Sequence, residues 1–406
     1  MNHIKKSFFN GGNLKHLIIT IGIFLSPILN AYQPKKIKTI EHPKPAFLKV
    51  NEETNMSLYV STFKFMGGDS VTEYQSLENI LNQGKISSKT VTQKIIWPNE
   101  IEQFPDKIEG EEYLVIASGF FPPTKNVGAI YLLNKSNNQV NKITKDKKGW
   151  WYHRVRFWDY DGDGIKDIVT ARAFKGMIRG KGAELLVLLA PNGQDRTKWE
   201  EQVLFKGPDV FFELTDLNND GRFEVLASQY LNKKITLHHD FKSQGQWEEI
   251  IIDDQIGEGF DLSIIDLNND GKEDILVTNH VNTKEAGVFA FEFPANLSQD
   301  KWMKHIIHRG FKTTARGIGQ ASPGNAKAFF PISSKKGKPS IVVSGDGNQN
   351  VHLFTPTSNN WEYQHDIIYK GKGIIGKVTT ADADKDGKSE IYIPAYDENK
   401  IIIFEY

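Results

Sequence analysis

Residues 159–167 read DYDGDGIKD, and near-copies recur as DLNNDGRFE at 216–224, DLNNDGKED at 266–274 and DADKDGKSE at 382–390. Successive copies begin 57, 50 and 116 residues apart, the last interval being two periods of 58. A degenerate copy fits that gap: ISSKKGKPSIVVS at 332–344 keeps Gly337, while Ile332, Ser334 and Lys336 stand where acids are expected. A second landmark keeps step, with KWEEQVLF around Trp199, QWEEIIID around Trp247, KWMKHIIH around Trp302 and NWEYQHDIIY around Trp361. Two independent signals in phase establish an internal repeat.

Each unit reads as four short strands separated by turn residues, as in FDLSIID, EDILVTN, GVFAFEF and KWMKHIIH between 260 and 308. Four-stranded units of roughly 50 residues predict a β-propeller. EEYLVIAS with GAIYLLN, and MSLYVSTF with SVTEYQSL, supply two earlier units, so the expected fold is all-β, a seven-bladed propeller. The last unit ends with KIIIFEY as its third strand. KKIKTIEH (35–42) is expected to supply the missing outer strand, so that the N-terminal strand closes the last blade, and PAFLKV (45–50) to be the first innermost strand.

Lys+Arg and Asp+Glu each number 50 in a chain of 406 residues, so neither nucleic acid nor an anionic membrane is an expected partner. Twenty-five Phe, 13 Tyr and 8 Trp among Val and Ile agree with a mainly β chain. At the N-terminus, Lys5, Lys6 and Lys15 precede LIITIGIFLSPIL (17–29), and LNA offers Ala31 as a cleavage site. Residues 1–31 therefore read as an export signal, with 32–406 forming one propeller domain and no membrane insertion after cleavage. The alternative, a short membrane anchor, is opposed by the brevity of the apolar run and by Pro27. The expected location is outside the cell or in the periplasm. There is no cysteine, so disulfides cannot pin the loops.

In the nonapeptide, side-chain oxygens at places 1, 3 and 5, glycine at 6, a backbone carbonyl at 7 and an acid at 9 form an oxygen cage suited to Ca²⁺. An EF-hand would need its bidentate Glu at place 12, where the four copies hold Thr170, Ala227, Val277 and Ile393. The pattern resembles the FG-GAP (VCBS-type) repeat of integrin alpha-chain propellers and secreted bacterial proteins, matched at four of seven blades. The resemblance implies that the loop joins a blade's first two strands and binds calcium, at up to four sites. The implied ligands are Asp159, Asp161, Asp163, Ile165 and Asp167; Asp216, Asn218, Asp220, Arg222 and Glu224; Asp266, Asn268, Asp270, Lys272 and Asp274; and Asp382, Asp384, Asp386, Lys388 and Glu390. Ile165, Arg222, Lys272 and Lys388 would offer backbone oxygen only. The literal Phe-Gly and Gly-Ala-Pro tripeptides of the family are mostly absent. Acidic turns without metal are the alternative, since Asp, Asn and Gly favour tight turns anyway. The 159 and 382 loops carry four carboxylates against three in the other two, and are expected to bind more tightly.

Specific chemistry is expected on the opposite face, at the channel mouth. Trp151, His153, Arg172, His280, Arg316 and Asp346 are candidate ligand-binding residues, with His as base or metal ligand, Arg as carboxylate clamp and Trp stacking a sugar ring. Against this, Trp150 and Trp151 would wedge between blades and the charges would be solvated loop residues. Hydrolase and nucleotide motifs such as G-x-S-x-G, H-E-x-x-H and the phosphate-binding glycine loop are missing. The function expected is a secreted binding module for a glycan or a cell-surface protein. The alternative is a carbohydrate-active enzyme, of polysaccharide lyase or sugar dehydratase type, working at the channel.

Overall fold

The computed structural model describes residues 33–406 except 53–55, 66, 121, 123, 177–179, 192–197, 241–244, 298–299, 317–319, 334–336 and 359. The segment read as an export signal, and Ser334 and Lys336 of the degenerate repeat, lie outside the described residues.

Seven four-stranded antiparallel sheets form the blades of a propeller. Blades one to six span 45–92, 98–142, 151–206, 211–253, 259–309 and 326–370, each running from innermost to outermost strand in chain order. Blade seven is composite. Its strands Thr379–Ala381, Glu390–Ala395 and Lys400–Glu405 are completed on the outside by Lys35–Glu41, with Lys35 opposite Glu405 and Glu41 opposite Lys400. The expected closure by the N-terminal strand is therefore present.

The strand chemistry follows from where each strand sits. Second strands are covered on both faces by neighbouring blades, and DILVTN at Asp274–Asn279 is buried at every position. Outermost strands meet water, as in EEIIID at Glu248–Asp253, where no residue is buried and half are charged. Cores form between blades: Leu226, Ile235 and Leu237 of blade four pack against Leu262, Ile275 and Phe289 of blade five. Each such side chain contributes roughly 1.5–3 kcal/mol on burial. The recurring tryptophans fill the same wedges, Trp199 lying edge-on to Phe104 of blade two at 5.9 Å.

One short helix, Leu77–Gln83, interrupts blade one where strand-like sequence continued; its Leu77 and Ile80 are buried against the core shared by blades one and seven.

Candidate functional site

All four acidic nonapeptides connect the innermost and second strands of their blades, namely three, four, five and seven. The glycine at place 6 has φ of 88° at Gly164, 82° at Gly221, 85° at Gly271 and 90° at Gly387, a left-handed conformation that a side chain resists. The turn it makes folds the acids inward. Oδ2 of the first Asp accepts from that glycine's N–H at 3.0 Å in Asp159 and Asp216 and at 2.9 Å in Asp266. The acid at place 9 accepts from the N–H at place 2: Tyr160 to Asp167 at 2.8 Å, Leu217 to Glu224 at 2.7 Å, Leu267 to Asp274 at 2.9 Å and Ala383 to Glu390 at 2.8 Å. Place 5 likewise accepts from the N–H of place 7, that is, of Ile165, Arg222, Lys272 and Lys388.

Neighbouring blades brace these loops. Lys166 N–H donates to Asp106 of blade two at 2.7 Å, and the degenerate loop of blade six docks on blade seven through Ser333 N–H to Gly387 O at 2.9 Å.

Oxygens of Asp382, Asp384, Asp386 and Glu390 come within 4.8 Å of one another, as do those of Asp159, Asp161 and Asp167. Two oxygens bound to one Ca²⁺ at ~2.3–2.6 Å lie no more than about 5 Å apart, so both sets fit that ion. Asp159 Oδ1, Asp382 Oδ1 and Glu390 Oε1 are buried without a hydrogen-bond partner. An orphaned buried acceptor costs about 1–3 kcal/mol, which a cation would remove. Burial, reinforced by the adjoining loop acids, pushes the place 9 carboxyls up to about 6 at Glu224, about 7 at Asp274 and about 8 at Glu390.

The seven innermost strands enclose a channel cavity of about 350 Å³. Alternate residues of a strand face one way, so residues two apart line it. Arg154, almost fully buried, meets Glu213 at 2.6 Å, Asp261 at 3.1 Å and Glu100 at 3.6 Å. Arg156 chelates Glu213 at 2.5 and 2.6 Å, Lys377 reaches Glu100 at 3.5 Å, and Lys49 pairs with Glu102 at 2.6 Å. Burial raises the Glu100 carboxyl, but Arg156, Arg154 and Lys377 outweigh it and hold it at about 2. None of these lining charges was among the residues singled out from sequence. The signal was there: NEIEQ and HRVRF carry charges at alternate places, and FEL sets one charge between apolar neighbours.

The FG-GAP-like repeat profile matches residues 216–277, which hold two of the acidic loops. The chain is a β-propeller carrying FG-GAP-like repeats. Among solved structures, this FG-GAP-like propeller is similar to a Bacteroides uniformis protein designated a putative 6-phosphogluconolactonase, at 13% identity and TM-score 0.51, covering 82% of this chain and 88% of that one. It is also similar to the Dos1 propeller, at 9% identity and TM-score 0.47 over 92% and 95% of the two chains. A Thermus thermophilus protein designated a putative oxidoreductase (glucose dehydrogenase) matches at 11% identity and TM-score 0.40 over 77% and 97%. At 13% identity the likeness to the Bacteroides uniformis protein is one of fold. No curated protein matches the sequence.

On the face opposite the acidic loops, the propeller brings only some of the six candidates together. His280 stacks on Phe260 with centroids 4.8 Å apart, and its Nε2 lies 3.2 Å from Asp346 Oδ2. Arg172 is buried inside blade three, donating to Glu184 at 2.8 Å and pairing with Glu201. Trp151 is buried with Ala173 and Leu231. His153 sits between Phe120 and Phe211, each 6.0 Å away, and burial pushes it down to about 4. Arg316 is exposed.

Sequence reasoning missed a run of rings that links these places around the mouth. Phe63 stacks on Trp97 at 4.2 Å, Trp97 on Phe120 at 4.9 Å, and Phe211 meets Phe260 edge-on at 5.1 Å. Phe63, Trp97, Phe120 and Phe260 are each partly open to solvent. Trp97 has φ of 49°, unusual for a bulky residue. Its N–H donates to Asp69 Oδ2 at 2.9 Å, and Asp69 is held by Lys125 at 2.7 Å in a buried ion pair. No local pattern around Trp97 announces that clamp, because Asp69 and Lys125 belong to different blades.

Proposed function

We propose that this protein is a calcium-stabilised propeller, exported from the cell by its first 31 residues, that acts as a binding module for a glycan or a protein at a cell surface. The observation that carries this reading is the run of partly open rings at the mouth, with Trp97 clamped into place between Phe63 and Phe120. Pre-positioned aromatic groups supply contact area at little entropic cost, and both sugar rings and protein hot spots use them. Calcium serves the opposite end, where Asp159, Asp161 and Asp167, and the four acids of the 382 loop, would hold it. Its contribution there is structural, since those loops lie away from the mouth. No helix among the described residues is long and apolar enough to cross a membrane.

A test is thermal unfolding at fixed calcium with a panel of acidic and neutral oligosaccharides, alongside capture of cell-surface proteins. Trp97→Ala and Phe63→Ala are expected to abolish whichever binding is found. If both variants bind as the parent chain does, the mouth is not the binding surface.

The His280–Asp346 pair favours a second reading, a carbohydrate-active enzyme of lyase or dehydratase type. Asp346 has φ of 48° and would orient the imidazole, leaving His280 as general base. Turnover of an acidic oligosaccharide that is lost in His280→Ala, with binding retained, would select this reading over the first.

A further inference from the structure

The channel lining contains five cations, Lys49, Arg154, Arg156, Lys327 and Lys377, against four acids, Glu100, Glu102, Glu213 and Asp261. Four of the cations are in the ion pairs already described. The ammonium of Lys327, on the innermost strand of blade six, makes no ion pair or hydrogen bond among the described residues. Lys327 is exposed to the solvent of the channel it lines, where the protein around it and the repulsion of Lys377 and Lys49 lower its pKa below the usual lysine range. The innermost strands on either side place Ser263 and Thr379 in the same lining, and neither hydroxyl has a partner among the described residues. An ammonium without a protein counter-charge and two free hydroxyls in one lining suit a ligand that brings negative charge and hydrogen-bond acceptors.

We propose that Lys327, Ser263 and Thr379 form a site for the carboxylate of a small organic acid, either free or as the acidic group of a glycan residue. The surplus is one positive charge, which suits a monoanion; Glu102 and Glu213 in the same lining oppose a dianion such as phosphate. The cavity of about 350 Å³ is at the small end for ligand pockets and sets the size near that of one sugar residue. Lysine meets the carboxylate as a point charge on a flexible stem, and the hydroxyls fix its direction. The glycan form of the ligand rests on the binding-module reading; the free-acid form does not.

The experiment is isothermal titration of the calcium-loaded full chain with lactate, glucuronate, glucose and inorganic phosphate. Carboxylates are expected to bind, glucose not to, and phosphate to bind more weakly. Lys327→Met is expected to weaken carboxylate binding at least tenfold and Thr379→Val severalfold, with melting temperature unchanged or higher in Lys327→Met because a repelled cation is gone. Glucuronate binding tenfold tighter than lactate assigns the glycan form, and equal binding assigns the free acid. The site is overturned if no carboxylate binds, if glucose or phosphate binds as well as glucuronate, or if Lys327→Met binds like the parent chain. Failure here with mouth-dependent binding intact removes this site alone, whereas carboxylate binding that survives Trp97→Ala while surface binding is never found removes the module reading alone.

Discussion

The two ends of the same seven innermost strands are built on opposite plans. At one end, four loops repeat one geometry, each with a glycine at positive φ and the same pattern of hydrogen bonds folding its acids inward. At the other end nothing repeats: Trp97 and Phe120 at blade two meet Phe63 of blade one, while Phe260 and His280 of blade five meet Phe211 of blade four. Repetition marks what holds each blade in shape. The unrepeated end is where one molecule can differ from another while the frame stays constant.

Removing calcium is the largest perturbation expected to separate the two ends. At free Ca²⁺ about 100 times Kd, each loaded loop adds ~2.7 kcal/mol, so chelation is expected to lower the melting temperature by many degrees. An unchanged melt after complete metal removal would reduce the loops to ordinary turns. Asp382→Ala is expected to reproduce part of that drop and to add little once calcium has been stripped.

Between the ends lies the channel. Arg154→Met leaves buried Asp261 without its cation and takes one of several from Glu100 and Glu213, and is expected to cost about 3–5 kcal/mol, measured by denaturant unfolding. A cost below about 1 kcal/mol would mean that the network is hydrated and loose.

Acid is expected to act next. His352, hydrogen-bonded to His365 at 2.8 Å and to Asn348 at 2.7 Å, is held down at about 3, and His308, 4.3 Å from the His365 ring, at about 4, in both cases first by burial. Asp366 is the facing charge for His365. Unfolded histidine titrates near 6.5, so the unfolded chain takes up protons that the folded chain refuses. The contribution of these histidines is then full above pH ~6.5 and is lost as pH drops through ~4 toward ~3. His352→Gln is expected to flatten that slope at saturating calcium, and a slope unchanged by the variant would place the acid sensitivity elsewhere. The smallest effect on folding is expected at the mouth, where Trp97→Ala removes two ring contacts worth about 1 kcal/mol each while abolishing surface binding.

The fold was legible because its two landmarks keep one period, and even the outer strand of blade seven could be named from KKIKTIEH. The acidic loops were legible for the same reason, since their acids lie within nine residues of one another. Neither condition holds for the mouth. Arg172 looked free in sequence because its partners, Glu184 and Glu201, lie on later strands. His280 and Asp346 meet only because blade six follows blade five around the ring, which no local pattern records. The channel charges are intermediate: their alternation was visible, but which strand neighbours which acid depends on ring closure.

That closure also bears on how the molecule is made and broken. Residues 35–41 leave the ribosome ahead of every other strand, yet their partner strand, 400–405, comes last. Until synthesis reaches it, blade one has no seventh neighbour and the channel has an open side. A protease cut near residue 42 would free the strand Lys35–Glu41, with whatever precedes it, from the rim of blade seven and leave the rest of the chain covalently whole. Blade one would still touch blade seven directly, through Lys377 N–H to Ala46 O at 2.9 Å and Lys44 to Asp397 at 2.8 Å, and adding the strand back as a peptide would measure, as an affinity, what it contributes to shutting the circle.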